Sequence, residues 1–234
     1  MNWKLKISLL TIIILICACN TKLYEFEREG YEGVYSKKMQ QPLYVHYMLT
    51  RDCACGVVKR SNNFSEDSLT VIPLLDYYKG SGYDRGHLRP ADHSKCSESQ
   101  MKSTFRTVNL APQLPSFNRG SWRSLEQYTK NLLTEYDSLE IYSGPIFKGE
   151  KKYLVAKEVR IPEAFFKAIK INDTLFLGFI LDQNGKSIEL VETIVSINEI
   201  EKITKIDLFP GTPEQIEKKN FSLYYRETKS YKCD

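Results

Sequence analysis

Several features that would place a chain in a specialised class are absent from this sequence. It has no internal repeat and no low-complexity region, and its composition is neither that of a disordered chain nor collagen-like. The net charge is only +4, so no strong positive field surrounds the whole chain. With 234 residues, the chain is long enough for one domain with a full core, which is therefore the default expectation.

Paired metal ligands of the zinc-binding kind are also missing. The 3 histidines and 6 cysteines form no CxxC or HxxxH pair. His87, His93 and Cys96 have spacings that could gather around a tetrahedral zinc ion, but no fourth ligand stands in such a pair. A zinc site is therefore the weaker interpretation of these three residues.

The hydrophobic run at residues 7–18 is too short to favour a helix that spans a membrane. Two lysines precede it and Ile16-Cys17-Ala18-Cys19 ends it, which is the layout of a secretory signal. This end resembles a bacterial lipobox, so we predict a signal peptide at residues 1–18 and lipidation of Cys19. The protein would then be exported and membrane-anchored as a bacterial lipoprotein, periplasmic or at the cell surface. A plain cleaved signal or an uncleaved anchor is the alternative.

Export changes the interpretation of the other cysteines. Without the leader, the chain keeps four of them, an even number in a compartment that tolerates disulfides. They are Cys53, Cys55, Cys96 and Cys233. Cys53 and Cys55 are too close to bridge each other comfortably, so we expect each to pair with Cys96 or Cys233, and the sequence leaves both connectivities open.

Residues suited to catalysis concentrate between Tyr83 and Glu126. A histidine has an unperturbed pKa near neutrality, so His87 is the candidate general base for activating a water molecule. Arg85 and Arg89 stand on either side of it. Their guanidinium groups could stabilise the negative charge of the phosphorane that forms when water attacks a phosphodiester. This inventory suits phosphodiester cleavage.

A hard divalent cation fits the same stretch. Mg²⁺ accepts oxygen ligands and keeps several of its waters, so one amide oxygen can anchor it when phosphate oxygens complete the shell. Asn118, ahead of a predicted helix, is the best placed oxygen. Glu126 follows eight residues later, about two turns along and within about 80 degrees of the same helical face, from which it would reach the ion through water.

The ordered motifs resemble those of the DNA/RNA non-specific endonucleases, a family of ββα-metal-finger nucleases. The resemblance extends from about residue 43 to 220 and rests on several blocks, which together are specific. The blocks are Asp84-Arg85-Gly86-His87, Asn109, Pro112-Gln113, Asn118, Trp122, Glu126, Gly144-Pro145-Ile146-Phe147, residues 161–167 and residues 206–210.

The resemblance implies a role for each matching residue. His87 would be the general base, Asn118 the Mg²⁺ ligand, with Mn²⁺ as another possible ion, and Glu126 the residue that fixes the hydrated metal. Arg85 and Asn109 would hold phosphate or position the histidine. The implied substrates are DNA and RNA, cut with little sequence preference to 5′-phosphorylated fragments.

Three basic residues are candidate substrate contacts. Arg89 flanks the motif, and Arg60 precedes it in an arrangement similar to the family's, although a surface arginine is an equal alternative. Lys130 stands where family members often have an arginine that meets phosphate. Lysine keeps the charge but loses the bidentate fork, so rate or substrate preference would differ.

The remaining pattern predicts an α+β fold with a mixed or antiparallel central sheet, flanking helices and an embedded ββα-metal finger. Residues 19–42 show no sustained period and are interpreted as a tether and the start of the domain, with a single nuclease domain at residues 43–234. Runs rich in β-formers predict strands at residues 42–49, 57–60, 139–143, 158–161, 166–171 and 174–181. Apolar positions every three to four residues predict an amphipathic helix at residues 121–136.

Two other functions remain open at this stage. The first is an exported lipoprotein that binds nucleic acid without cleaving it, which would need the finger without its base or metal ligand. The second is a phosphodiesterase for small nucleotides, since the sequence does not show whether the groove is open. The oligomeric state is not indicated by any residue.

Overall fold

The computed structural model describes residues 22–154, 158–184, 188–226 and 228–233. The strands in this part of the chain are β1 (Leu23–Arg28), β2 (Tyr31–Ser36), β3 (Gln41–Thr50), β4 (Asp84–His87), β5 (Leu110–Gln113), β6 (Ser138–Ile146), β7 (Lys152–Tyr153), β8 (Arg160–Ile161), β9 (Ala164–Lys170), β10 (Phe176–Asp182) and β11 (Ile194–Val195). The α-helices are α1 (Arg51–Cys55), α2 (Leu74–Tyr77), α3 (Glu98–Ser103), α4 (Pro115–Phe117), α5 (Arg123–Asn131), α6 (Ile197–Thr204) and α7 (Glu214–Glu217).

A seven-stranded sheet forms the centre of the fold, in the order β1-β2-β3-β6-β9-β10-β11. Each neighbouring pair is antiparallel. The inner strands β6, β9 and β10 are buried along almost their whole length, as their continuous apolar runs predict. The predicted α+β class with a central antiparallel sheet is confirmed.

The finger is a separate unit beside this sheet. Strands β4 and β5 form an antiparallel hairpin in which His87 pairs with Leu110. The chain then passes through α4 and a π-helical turn, Asn118–Trp122, into α5. The predicted helix at 121–136 is thus regular only over α5, with the π turn before it and a 3₁₀ turn, Leu132–Thr134, after it. This turn is kinked at Gly120, whose backbone angles are not helical.

Two sequence interpretations of secondary structure were wrong. The segment 19–42, interpreted as tether and domain start, contains β1 and β2, and β2 pairs with β3. The folded domain therefore begins about twenty residues before residue 43. The sequence did not indicate these two strands, because their charged residues obscure the alternation of polar and apolar side chains. Residues 57–60 form no strand.

The four cysteines form two disulfides. Cys53 bonds to Cys96 and Cys55 to Cys233, with Cα–Cα distances of 4.2 and 5.3 Å. The first joins α1 to the segment after the 3₁₀ turn that follows the motif, and the second fixes the C-terminus to α1. Cys19 and the signal peptide lie outside the described residues.

Loss of the second disulfide is expected to destabilise the domain. It closes a loop of 178 residues, so the double replacement Cys55→Ser/Cys233→Ser should lower the free energy of unfolding by about 2–4 kcal/mol, because the unfolded chain gains entropy. Denaturant unfolding under oxidising conditions measures this. An unchanged midpoint would show that the bond contributes no stability.

None of the helices found in the described ranges is sufficiently long and apolar to span a bilayer.

Candidate active site

A groove of about 580 Å³ opens between the finger and the segment around residues 60–64. Five residues that the sequence predicted for the site line it: Arg60, Arg85, His87, Asn118 and Glu126. The groove wall also carries Asp84, Asp92, Arg119 and Arg123. Four guanidinium groups therefore face three carboxylates in a chain whose net charge is only modestly positive.

His87 occupies the inner wall of the groove, at the end of β4, and is 8% exposed. The Phe105 ring meets the imidazole edge-on at 4.9 Å between centroids, and Phe64 lies at 5.6 Å. On the other side of the backbone, the Trp122 indole donates a hydrogen bond to the His87 carbonyl at 3.2 Å. These contacts hold the ring in one orientation.

The protonation of His87 suits a proton acceptor. Its Nε2 has no hydrogen-bond partner among the described residues, whereas the ring bonds to the Arg85 backbone. The tautomer protonated at Nδ1 satisfies this contact and leaves the lone pair on Nε2. Burial and, to a smaller extent, the Arg60 charge lower the pKa of His87 to about 3, so the imidazole is neutral at pH 7.

Two aromatic rings also support guanidinium groups at the groove. Arg85 lies over the Phe64 ring at 4.1 Å, and Arg60 over the Phe105 ring at 5.0 Å. Both arginines are exposed, and although Arg60 Nε donates to Asn62 at 2.8 Å, their terminal nitrogens are available to a ligand while the rings restrict their positions. The predicted contacts Arg85 and Arg60 are therefore placed where a phosphate could reach them.

Asn118 begins the π turn and borders the groove. Its amide nitrogen donates to Asp84 Oδ2 at 2.9 Å, and Arg119 donates to both oxygens of the same carboxylate, at 2.9 and 2.7 Å. Both oxygens of Asp84 therefore accept hydrogen bonds from protein donors, and the carboxylate orients the Asn118 amide. The Asn118 oxygen is the group that this arrangement leaves for a hard cation.

Glu126 lies on α5 and reaches the groove two turns after Asn118. Burial raises the pKa of its carboxyl, while Lys167 and Arg60 oppose the increase. The carboxylate accepts no hydrogen bond from the residues that the structure describes, and it faces the same space as His87. It is placed to accept hydrogen bonds from water in the groove.

Gly86 lies next to His87 on β4, where a glycine can either permit close approach of a ligand or serve a bend. The structure shows a close approach of a different kind, because a Cβ at Gly86 would lie 2.2 Å from Oε1 of the buried Gln113 on β5. The glycine lets the hairpin pack against this side chain.

Gly86→Ala is therefore expected to destabilise the finger. The added methyl group forces Gln113 out of its position, at a cost of about 1–3 kcal/mol. Thermal unfolding measures the loss. A melting temperature equal to the wild-type value would show that Gln113 moves without cost.

Asn109 does not reach the groove. It is fully buried, and its side chain accepts from the Arg89 amide at 2.8 Å and donates to the carbonyls of Arg89 and Thr104. Its own carbonyl accepts from Leu88 at 2.9 Å. Of the two implied roles, this favours positioning the segment next to His87 over holding phosphate.

Arg89 was predicted to contact substrate, and the structure contradicts this. The strand ends at His87, and the chain then turns Arg89 inward, where it is 1% exposed and donates to Gln100 at 2.7 Å. Its guanidinium also lies 5.4 Å from the Tyr47 ring. Arg89 therefore links the finger to the rest of the fold.

Lys130 is also outside the groove lining. Its Nζ bonds to Asp92 Oδ2 at 3.0 Å, and its side chain is 10% exposed. Asp92 itself borders the groove and also pairs with Lys95. The prediction that Lys130 contacts substrate is not supported by this position, because its charge is used to hold Asp92.

The zinc interpretation is not supported either. Cys96 is oxidised in a disulfide, and both nitrogens of His93 are engaged. The Tyr47 hydroxyl lies 3.2 Å from Nδ1 and the Glu126 carbonyl 3.3 Å from Nε2. His93 is thus a buried, hydrogen-bonded histidine.

Sequence reasoning missed several residues that line the groove. Arg119 and Arg123 flank the predicted helix start, and their spacing from Asn118 was an available signal. Phe64 lies in the segment before the motif, where a single phenylalanine does not indicate a functional role. Asp92 gave no signal, because its place depends on the turn after Pro90.

Comparison with known proteins agrees with this geometry. The sequence model of the family described as DNA/RNA non-specific endonuclease matches residues 14–215. The chain is 31% identical to the mitochondrial nuclease of Saccharomyces cerevisiae over 218 residues, which is 80% of this chain and 65% of that protein. It is 30% identical to Nuclease C1 of Cunninghamella echinulata over 206 residues, 78% of this chain and 81% of that protein.

Human mitochondrial Endonuclease G is 31% identical over 157 residues, 63% of this chain and 50% of that protein. The chain thus spans between half and two thirds of the length of these two mitochondrial relatives. A crystal structure of the EndoG/EndoGI complex contains a chain with the same fold. Its TM-score is 0.76 at 22% identity, and the match covers 84% of this chain and 91% of that one.

Proposed function

Since the chain belongs to the DNA/RNA non-specific endonuclease family, we propose that it is a metal-dependent endonuclease that hydrolyses phosphodiester bonds in DNA and RNA. The observation that carries this proposal is the meeting of His87, Asn118 and Glu126 at one groove with exposed arginines. A neutral imidazole, an oriented amide oxygen and guanidinium groups are the parts that phosphodiester hydrolysis requires. The absence of sequence preference follows from contacts that serve phosphate rather than bases.

His87 acts as the general base in this proposal. Nε2 is the nitrogen with the free lone pair and takes the proton from the attacking water, although less than 1 Å² of this atom is exposed in the structure. A base with a low pKa in the free protein is weak, but a phosphate that neutralises Arg60 removes one cause of the lowering. Substrate binding would therefore strengthen the base at the moment it is needed.

The donor set at the groove fits a hard divalent cation such as Mg²⁺ or Mn²⁺. Asn118 would hold it through its amide oxygen, and Glu126 would orient the water around it. When bound, the ion supplies positive charge that stabilises the developing negative charge of the phosphorane. Arg85 and Arg60 bind the phosphate and orient it in front of His87.

Export as a lipoprotein anchored through Cys19 is part of the same proposal. The two disulfides support it, because such bonds persist in oxidising compartments. A membrane contact would then be made through the lipid alone, and the substrates would be extracellular or periplasmic nucleic acids. Palmitate labelling of the full chain, compared with Cys19→Ala, tests the anchor, and equal labelling of both would contradict it.

Analysis of the products tests the proposed reaction. A water molecule activated by His87 should leave 5′-phosphate and 3′-hydroxyl ends on both DNA and RNA fragments. Ligation of the fragments without prior kinase treatment detects these ends. Fragments with 3′-phosphate ends would contradict the proposed direction of attack, and cleavage confined to mononucleotide esters would favour a phosphodiesterase for small nucleotides.

A further inference from the structure

Lys167 is a buried charge for which the proposed reaction has no use. It lies in the middle of β9, is 0% exposed, and does not line the groove. Its Nζ finds no hydrogen-bond partner among the described residues and lies 4.8 Å from the centroid of the Trp122 ring. A buried ammonium is costly unless an opposite charge offsets the desolvation.

Glu126 is the opposite charge in reach. Trp122 and Glu126 are four residues apart where the π turn runs into α5, so both side chains project from the same face of the helix. An ammonium group over the Trp122 ring is therefore on the Glu126 side of α5. Glu126 is the charge that opposes the effect of burial on Lys167, and Lys167 exerts the largest charge effect on the glutamate; the same ammonium also disfavours protonation of His93.

Other charges near Glu126 are weaker or have the wrong sign. Arg60 approaches from across the groove and Arg123 from α5 itself, and both are exposed, so solvent and salt screen them. Asp92, on the turn after the motif, repels the carboxylate. His93 contacts the Glu126 backbone carbonyl and is neutral, because burial lowers its pKa to about 3.

We propose that Lys167 is a positioning residue of the active site, whose buried ammonium lies beneath α5 and favours the ionised form of the Glu126 carboxylate at the groove. Lys167 touches neither substrate nor metal, and acts through Glu126. No ion pair within 4.0 Å joins the two side chains, so Lys167 acts on Glu126 through space from its place over the Trp122 ring; the value of this effect for catalysis rests on the function proposed above.

Lys167→Met is the direct test, because methionine has a similar length and no charge. The pKa of Glu126 is read by NMR of protein labelled with side-chain ¹³C-glutamate, and Glu126→Gln identifies the signal by its loss. Loss of the ammonium should raise this pKa by about one unit or more. Lys170→Met is the matched control on the same strand, because Lys170 pairs with Asp173 and should leave the signal unchanged.

An unchanged Glu126 titration in folded Lys167→Met would overturn the proposal. If that variant fails to fold, the coupling is measured instead through the pKa of the Lys167 ammonium in Glu126→Gln. The two charges stabilise each other reciprocally, so the pKa of the Lys167 ammonium, read from ¹³Cε-lysine, should fall in Glu126→Gln. A lysine pKa equal to the wild-type value would overturn it as well.

Kinetics separate the proposal from a general structural role. Lys167→Met should move the acid limb of the pH–rate profile to higher pH, by the same shift as the Glu126 titration, and leave KM for DNA unchanged. In the Glu126→Gln background, the same replacement should change kcat no further. If wild-type protein does not cleave nucleic acid, the proposed function fails, while the two NMR titrations still decide the role of Lys167.

Discussion

Replacement of His87 by alanine is expected to reduce the cleavage rate by about 10²- to 10⁴-fold, the usual contribution of a general base. The substitution removes the lone pair of Nε2 and leaves the arginines of the groove in place. DNA binding should therefore remain close to that of the wild type. Single-turnover cleavage and filter binding on the same preparation measure the two effects.

His46→Ala is the matched control for this experiment. His46 lies on the surface of the central sheet, where its nitrogens contact Glu32 at 2.8 Å and Glu140 at 2.9 Å. It is a strand residue, as its sequence context predicts, and its loss should leave the rate unchanged. Equal rates for His87→Ala and wild type would remove His87 as the base.

Asn118→Ala is expected to weaken the response to metal and the maximal rate together. The amide oxygen is the proposed cation ligand, so the Mg²⁺ concentration for half-maximal activity should rise by at least about tenfold, the scale found when the surroundings of a metal are altered. Titration of activity with Mg²⁺, and of binding with Mn²⁺ by electron paramagnetic resonance, gives both values.

The control for Asn118 is Asn63→Ala, because Asn63 is an exposed asparagine that does not line the groove. It should titrate like the wild type. Unchanged metal dependence in Asn118→Ala would exclude Asn118 from the metal site and restrict it to its hydrogen bond with Asp84.

The predicted residues that the structure brings to the groove are mostly those whose positions depend on local structure. His87 and Arg85 share one short strand, and Asn118 and Glu126 are separated by about two helical turns. The β4–β5 hairpin, α4 and α5 together bring these four residues to one groove. The inner strands were also predictable, because β6, β9 and β10 are nearly continuous apolar runs.

The errors concern charged side chains whose burial depends on the tertiary fold. Arginine and lysine are usually exposed, so Arg89 and Lys130 were assigned to substrate, whereas one is buried against Gln100 and the other is tied to Asp92. Lys167 gave no functional signal, because it is a single lysine in an apolar strand. The disulfide pairing was likewise open until α1 was placed between Cys96 and the C-terminus.

Cleavage of supercoiled plasmid by the oxidised mature domain, residues 20–234, tests the central claim most directly. The assay compares Mg²⁺ with excess EDTA at one protein concentration. With Mg²⁺, we expect the plasmid to become nicked, then linear and then fragmented. With EDTA, we expect it to remain intact. Plasmid that is bound but uncut in Mg²⁺, or cut equally in EDTA, would contradict a metal-dependent nuclease at this groove.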